Sequence, residues 1–284
     1  MTSSGRVPVS FEVYPPRTRE LMAPLQESIR ILDGLAPDFI SVTYGAGGSS
    51  TRDSLDVLRF IRDNAAATPL AHLTCVGTGR DEAAGLIDDF VGEGITHFLA
   101  LRGDLPDGSH QHTGDLPYAS DLVDLMATRR SSIGGPDTIA VAAFPNGHPD
   151  STHPHQDIEA LLVKQDAGAD FAITQLFFYA EDYLRFVDQA TAAGVTMPLL
   201  PGIMPITSPS RLTRVIELTG EAMPVELKAE FDRTSDHLSW EQAGVRWAAD
   251  MVKELIDGGA PGIHLYAFNQ HRHVMSVLEE AGVR

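Results

Sequence analysis

Glu12 lies between Phe11 and Val13 in the first apolar segment of the chain. A carboxylate in such surroundings costs several kcal/mol unless it is paired, hydrated or protonated. Two roles fit it: a rim carboxyl held by structural hydrogen bonds, or a general acid whose pKa is raised by apolar neighbours. Arg102-Gly103-Asp104 closes another apolar run. Gly103 admits close approach of a ligand or of backbone, and Asp104 can accept hydrogen bonds from a heterocycle or pair with Arg102 to brace the loop. Gln175 follows Ile173-Thr174 as an uncharged amide in an apolar stretch. Its adjacent donor and acceptor suit the edge of a pterin or pyrimidine, and would equally satisfy neighbouring backbone.

Other reactive residue types narrow the chemistry. His72 and His264 fall in strand-like runs, and His148, His153 and His155 in a polar loop. The spacings His153-x-His155 and His271-x-His273 do not share a helix face, and no metal site is expected. Ser49 and Ser50 after Gly47-Gly48 could hold an anion at a helix start, although capping is the simpler role. Only Lys164, Lys228 and Lys253 are lysines, and each sits in a helical pattern, which argues against imine catalysis by a desolvated amine. Cys75 is the single cysteine, so an internal disulfide and a cysteine-built metal cluster are excluded.

The elements that must position these groups alternate. Strand-like runs occur at 7–14, 38–45, 70–77, 97–104, 138–145, 171–178, 198–205 and 262–269. Most are continuously apolar, as parallel strands buried on both faces are. Amphipathic patterns predict helices at 19–33, 51–63, 82–91, 120–128, 156–166, 181–193, 209–219 and 271–281, with Ser120 as an N-cap. A longer region at 225–257 leaves room for an added helix before the last strand. Eight successive β–α units predict a single (β/α)8 TIM barrel spanning residues 1–284 as one catalytic domain. An open doubly wound sheet would want a glycine-rich turn after the first strand, where Tyr14-Pro15-Pro16-Arg17 stands instead. Polar loops at 105–117 and 146–155 follow the fourth and fifth strands, on the face where barrel enzymes carry their sites.

Composition sets the outer limits. The 284 residues carry 21 basic and 39 acidic side chains, for a net charge of −18, which disfavours nucleic-acid and anionic-membrane partners. No apolar run has membrane-spanning length and no signal-like segment opens the chain, so a cytoplasmic protein is expected, with no protein partner evident.

Read together, FEVYPPRT at 11–18, FISVTYGAGG at 39–48, HLTCVG at 72–77 and LALRGDLP at 99–106 resemble methylenetetrahydrofolate reductases. YASDLV at 118–123, DAGADFAITQLFF at 166–178, LPGIMPI at 200–206 and LYAFN at 265–269 continue the resemblance over essentially the whole chain. It implies a barrel that reduces 5,10-methylenetetrahydrofolate to 5-methyltetrahydrofolate with NADH or NADPH, usually through FAD. By motif, Glu12 resembles the acid that opens the methylene bridge, Asp104 the pterin-contacting aspartate, and Gln175 the folate-binding glutamine; Asn269 joins the substrate set. Thr43, His72, Arg102, Gly103, Tyr118, Phe144, His148, Asp157 and Lys164 match cofactor-surrounding positions. The chain departs from the pattern on the flavin's side: Phe144 replaces a tyrosine, and Ala160 and Val163 replace an asparagine and an arginine. Pro209 stands in place of an aromatic ring, and Gln270 in place of an arginine. These departures favour direct hydride transfer from NAD(P)H over an FAD relay. A folate-binding barrel without turnover is the alternative outside catalysis.

Overall fold

A computed structural model describes residues 6–44, 51–103, 114–130 and 135–284. Among the described residues nine strand segments form one parallel sheet: β1 (Val9–Val13), β2 (Phe39–Val42), β3 (Thr68–Thr74), β4 (His97–Leu101), β5 (Thr138–Ala143), β6 (Phe171–Thr174), β7 (Leu199–Leu200), β8 (Gly202–Ile203) and β9 (Ile263–Tyr266). They pair in the order β7-β6-β5-β4-β3-β2-β1-β9-β8. β7 and β8 are two halves of the predicted seventh strand, broken at Pro201. β7 pairs with β6 and β8 with β9, so this one run closes the ring and the architecture is a TIM-like α/β barrel. Proline has no N–H to give a ladder. The strand recovers around it: the Pro201 carbonyl accepts His264 N–H at 3.0 Å, and Gly202 N–H donates to Thr174 Oγ1 at 2.9 Å.

The helices that follow the strands are α1 (Met22–Asp33), α2 (Thr51–Asn64), α3 (Arg80–Gly92), α4 (Ala119–Arg129), α5 (Gln156–Asp166) and α6 (Ala180–Ala193). After the seventh strand come α7 (Pro209–Thr219), α8 (Val225–Asp232) and α9 (His237–Asp257), and α10 (His271–Glu280) closes the chain. The 225–257 region is thus two helices, separated where Asp236 caps α9 by accepting Ser239 N–H. Ser120 does not cap α4. The helix opens one residue earlier, and Asp121 reaches back to accept Tyr118 N–H at 2.8 Å.

Side-chain alternation divides the strands between two cores. Phe11, Val13, Ile40, Val42, Ala71 and Leu73 pack outward on the helices against residues such as Ile29, Leu58 and Ile61. Leu70, Leu99, Ala140 and Ile173 fill the barrel interior with Phe39, Leu101, Phe171 and Leu200 around them. Ser10 and Glu12 alternate with Phe11 and therefore face that interior.

Candidate active site

The inward face of β1 carries Ser10 and then Glu12, and register sets what meets them. β1 pairs with β9 so that Ser10 lies opposite His264 and Glu12 opposite Tyr266. Ser10 Oγ is 2.8 Å from His264 Nδ1, and the fully buried His264 ring turns its other nitrogen toward Glu12, with Nε2 3.8 Å from Oε2. From β3, His72 Nε2 approaches the same oxygen to 3.4 Å. Both Nε2 atoms are buried and make no hydrogen bond among the described residues. Burial pushes the His72 imidazole below its ordinary pKa, with Glu12 pulling the other way. Phe11 and Val13, the sequence neighbours expected to surround Glu12, lie on the opposite face of the strand. Its spatial neighbours are two imidazoles.

Glu12 borders a cavity of about 200 Å³ walled by Tyr14, Gln175, Met204, Val215, Tyr266 and Phe268, with Leu218 and Thr219 also lining it. Gln175 spends its carbonyl oxygen on Leu176 N–H at 2.9 Å, so its NH₂ is the end offered to the cavity. Tyr266 Oη donates to the Thr174 carbonyl at 2.8 Å, fixing that wall. Phe268 holds a left-handed backbone at φ 48°, unusual for a bulky side chain and a mark of a constrained site. Asp104, matched to the pterin-contacting aspartate, lies outside the described residues, as do Ser49 and Ser50.

Asn269, grouped with the substrate residues, spends its amide on backbone. Its Oδ1 accepts Tyr14 N–H at 2.9 Å and its Nδ2 donates to the Tyr14 carbonyl at 2.8 Å. Both ends of the amide bond backbone, so Asn269 fastens the ends of β9 and β1 together beside the cavity wall that Tyr14 and Phe268 form.

Of the residues matched to cofactor positions, Thr43, Arg102, Gly103, Phe144 and His148 follow β2, β4 and β5, His72 lies in β3, Tyr118 precedes α4, and Asp157 and Lys164 lie in α5. Thr43 Oγ1 is buried without a hydrogen bond among the described residues. Arg102 pairs with Asp150 at 2.8 Å, which ties β4 to the loop after β5. Gly103 has φ 88°, and a Cβ there would sit 2.8 Å from Val76 Cγ1 and 3.0 Å from Thr74 Cβ. The close approach at Gly103 is therefore made by β3 and the residues that follow it. Asp157 accepts His148 N–H and Ser151 Oγ–H, and His148 Nδ1 accepts Asp150 N–H. Burial and the Arg102 charge lower the His148 pKa. Phe144 stands edge-on to His148 with ring centroids 4.7 Å apart. Tyr118 is half-exposed at the start of α4, and its carbonyl accepts from Cys75 Sγ. A polar cavity of about 500 Å³ adjoins Phe144, His148 and Asp157 and reaches Arg185 and Gln189 of α6.

Lys164 departs from what its helical position suggested. α5 delivers its ammonium inward, where it donates to the Ala142 carbonyl at 2.9 Å. Burial lowers its pKa to about 8. The amine is desolvated after all, and it is held as a cation bonded to a strand carbonyl.

Among the described residues, no group of three His, Cys, Asp or Glu side chains is placed to hold a metal, and no helix is long and apolar enough to cross a membrane.

A parallel barrel whose inward carboxylate, amide and imidazoles meet at the carboxyl ends of the strands is, as a class, an α/β-barrel enzyme scaffold. The family model described as methylenetetrahydrofolate reductase matches residues 1–282, and the chain belongs to that family. It is 37% identical over 281 residues to the 5,10-methylenetetrahydrofolate reductase of Escherichia coli K12, covering 99% of this chain and 92% of that protein. It is 31% identical over 296 residues to methylenetetrahydrofolate reductase (NADH) 1 of Arabidopsis thaliana, covering all of this chain and 50% of the plant protein. Among solved structures, a Clostridium thermocellum protein described as binding two copies of 5-methyl-5,6,7,8-tetrahydrofolic acid shares the fold. Its TM-score is 0.64 at 14% identity, over 97% of this chain and 94% of that one.

Proposed function

We propose that this protein reduces 5,10-methylenetetrahydrofolate to 5-methyltetrahydrofolate, taking hydride directly from NADH or NADPH, with Glu12 as proton donor. The observation that carries the reading is the Glu12 carboxyl on the cavity wall, its Oε2 faced by His72 and His264, in a chain of this family. Methylenetetrahydrofolate accepts hydride poorly until a proton on N10 breaks the bond to the bridging carbon. That leaves a cationic iminium at N5, and hydride added to its exocyclic carbon completes the methyl group. Glu12 supplies the proton and becomes a carboxylate. A carboxylate formed there is stabilised by imidazole N–H groups within reach, His72 and His264 being the nearest. Gln175 offers its NH₂ to the pterin edge, and Tyr14 and Phe268 provide flat walls. Asp104, which follows Arg102-Gly103 in the sequence, is assigned to the pterin and to the developing cation.

Residues suited to the polar edge of a flavin are present in Thr43 and His72. The polar half of FAD fits poorly. A pyrophosphate is held by cations and donors, but Arg102 is engaged by Asp150 and the Lys164 ammonium is bonded to a strand carbonyl. On α5, Ala160 and the half-exposed Val163 present no polar atoms. A resident flavin must be retained through turnover, whereas a nicotinamide substrate leaves in every cycle, so a weak grip suits the latter. Thr43, His72, Arg102, Gly103, Tyr118, Phe144, His148, Asp157 and Lys164 are assigned to the surround of that nicotinamide.

The test is oxidation of NADH and of NADPH with and without methylenetetrahydrofolate, each with and without added FAD. Folate-dependent oxidation by flavin-free protein supports the reading. Activity only with FAD replaces the direct route with a flavin relay. No folate-dependent oxidation under any condition refutes the reductase and favours a binding barrel without turnover.

A further inference from the structure

Arg211 occupies the first turn of α7, on the face of the helix that carries Val215, Leu218 and Thr219, the residues that line the cavity. Its guanidinium stacks over Phe268, with Cζ 5.2 Å from the ring centroid, and Phe268 is itself a cavity wall. Stacking on an aromatic face holds a cation in place without neutralising it. The position is otherwise unfavourable. A cation in the first turn opposes the helix dipole, and the side chain is partly desolvated. Among the described residues Arg211 makes no ion pair, in a chain with 39 acidic side chains. One turn further along, Arg214 pairs with Glu217 at 3.4 Å. On α10, burial and the Arg211 and Arg272 charges lower the His273 pKa, while Glu241 of α9, 3.7 Å from His273 Nε2, pulls the other way.

A stacked, unpaired guanidinium beside a pocket is what a carboxylate ligand requires, because arginine binds carboxylates through two parallel N–H···O bonds. The proposed substrate has such a group. A folate carries its pterin at one end and a glutamyl tail with free carboxylates at the other. α7 supplies Val215, Leu218 and Thr219 to the cavity that Glu12 and Gln175 border, and Arg211 lies on that same helix face.

We propose that Arg211 is the docking cation for the glutamyl tail of the substrate, and that it sets a preference for folates over the same pterin lacking the tail. This rests on the folate reading above and adds a specificity-determining residue to it.

The experiment titrates wild type, Arg211→Ala and Arg211→Lys with 5-methyltetrahydrofolate and with 5-methyltetrahydropteroate, which lacks the glutamate, and measures KM and kcat for the matching methylene forms. Wild type is expected to bind the glutamyl ligand about 10- to 100-fold more tightly than the pteroate. Arg211→Ala removes that preference: it raises Kd and KM for the glutamyl ligand by the same factor, holds kcat, and leaves the pteroate constants in place. Arg211→Lys retains part of the preference, since it keeps the charge and loses the fork. Equal weakening of both ligands by Arg211→Ala, or of neither, overturns the proposal. Should the alanine variant fail to fold, wild type and Arg211→Lys decide. A wild type that binds both ligands equally overturns the docking role and leaves the folate reading standing, whereas one that binds neither overturns both.

Discussion

Replacing Lys164 by Met should stabilise the protein near neutral pH and destabilise it at high pH. The ammonium is enclosed between α5 and β5, and burial takes its pKa from 10.5 to about 8, against the opposing pull of Asp157. At about 1.4 kcal/mol per pH unit that drop corresponds to about 3 kcal/mol of penalty on the charged form. The residue as a whole is only part-buried, which reduces the figure to about 2 kcal/mol. Methionine has a comparable length without the charge, and it forfeits the bond to the Ala142 carbonyl, worth about 1 kcal/mol. The net expectation below pH 8 is a variant more stable by about 1 kcal/mol. Between pH 8 and 10.5 the unfolded chain holds a proton that the folded chain has released, so wild-type stability rises through that window. There the penalty disappears and the hydrogen bond remains, so the variant becomes the less stable of the two by about 1 kcal/mol. Urea denaturation of both proteins at pH 7 and about pH 10 reads the reversal. A difference that does not change with pH would refute the claim that a strained buried ammonium is held at this position.

Two further substitutions probe the walls around the site. Gly103→Ala places a Cβ at positive φ against Val76 and Thr74, and should cost about 2–4 kcal/mol, read as a lower urea midpoint with an unchanged slope. His72→Gln should flatten the acid limb of the stability curve. Burial keeps the His72 pKa below 6.5 in the folded state, so as pH falls through 6.5 the unfolded chain takes up a proton that the folded chain refuses, and stability falls. Denaturation midpoints that decline equally in both proteins from pH 7 to about pH 5 would remove His72 from that limb.

The barrel was legible because a parallel strand buried on both faces is an unbroken apolar run, and a residue such as Glu12 or Gln175 interrupts that run visibly. Where the reading missed, the cause was long-range. The break at Pro201 splits a strand without disturbing its apolar pattern, and only pairing with β6 on one side and β9 on the other gives it meaning. Ser10 and His264 are 254 positions apart and meet through β1–β9 register, so no local spacing announces the imidazole that faces Glu12. Alternation along β1 was available in the sequence, and it would have put Phe11 and Val13 on the face opposite Glu12. Lys164 looked like any lysine in the last turn of a helix; its inward course depends on how α5 packs on β5. Arg211 carries a similar lesson. A basic residue in an amphipathic helix reads as solvated surface until its stacking on Phe268 and its lack of an ion pair among the described residues are seen together.

The most direct test of the proton-first account is turnover of Glu12→Gln. Glutamine keeps the shape and the hydrogen bonding of the side chain and removes the transferable proton. General acid catalysis contributes about 10²–10⁴-fold, so kcat for folate-dependent NAD(P)H oxidation should fall by that factor while the Kd for 5-methyltetrahydrofolate changes little. A variant that kept more than about a tenth of wild-type kcat would show that the proton comes from elsewhere, and would contradict the role given to Glu12.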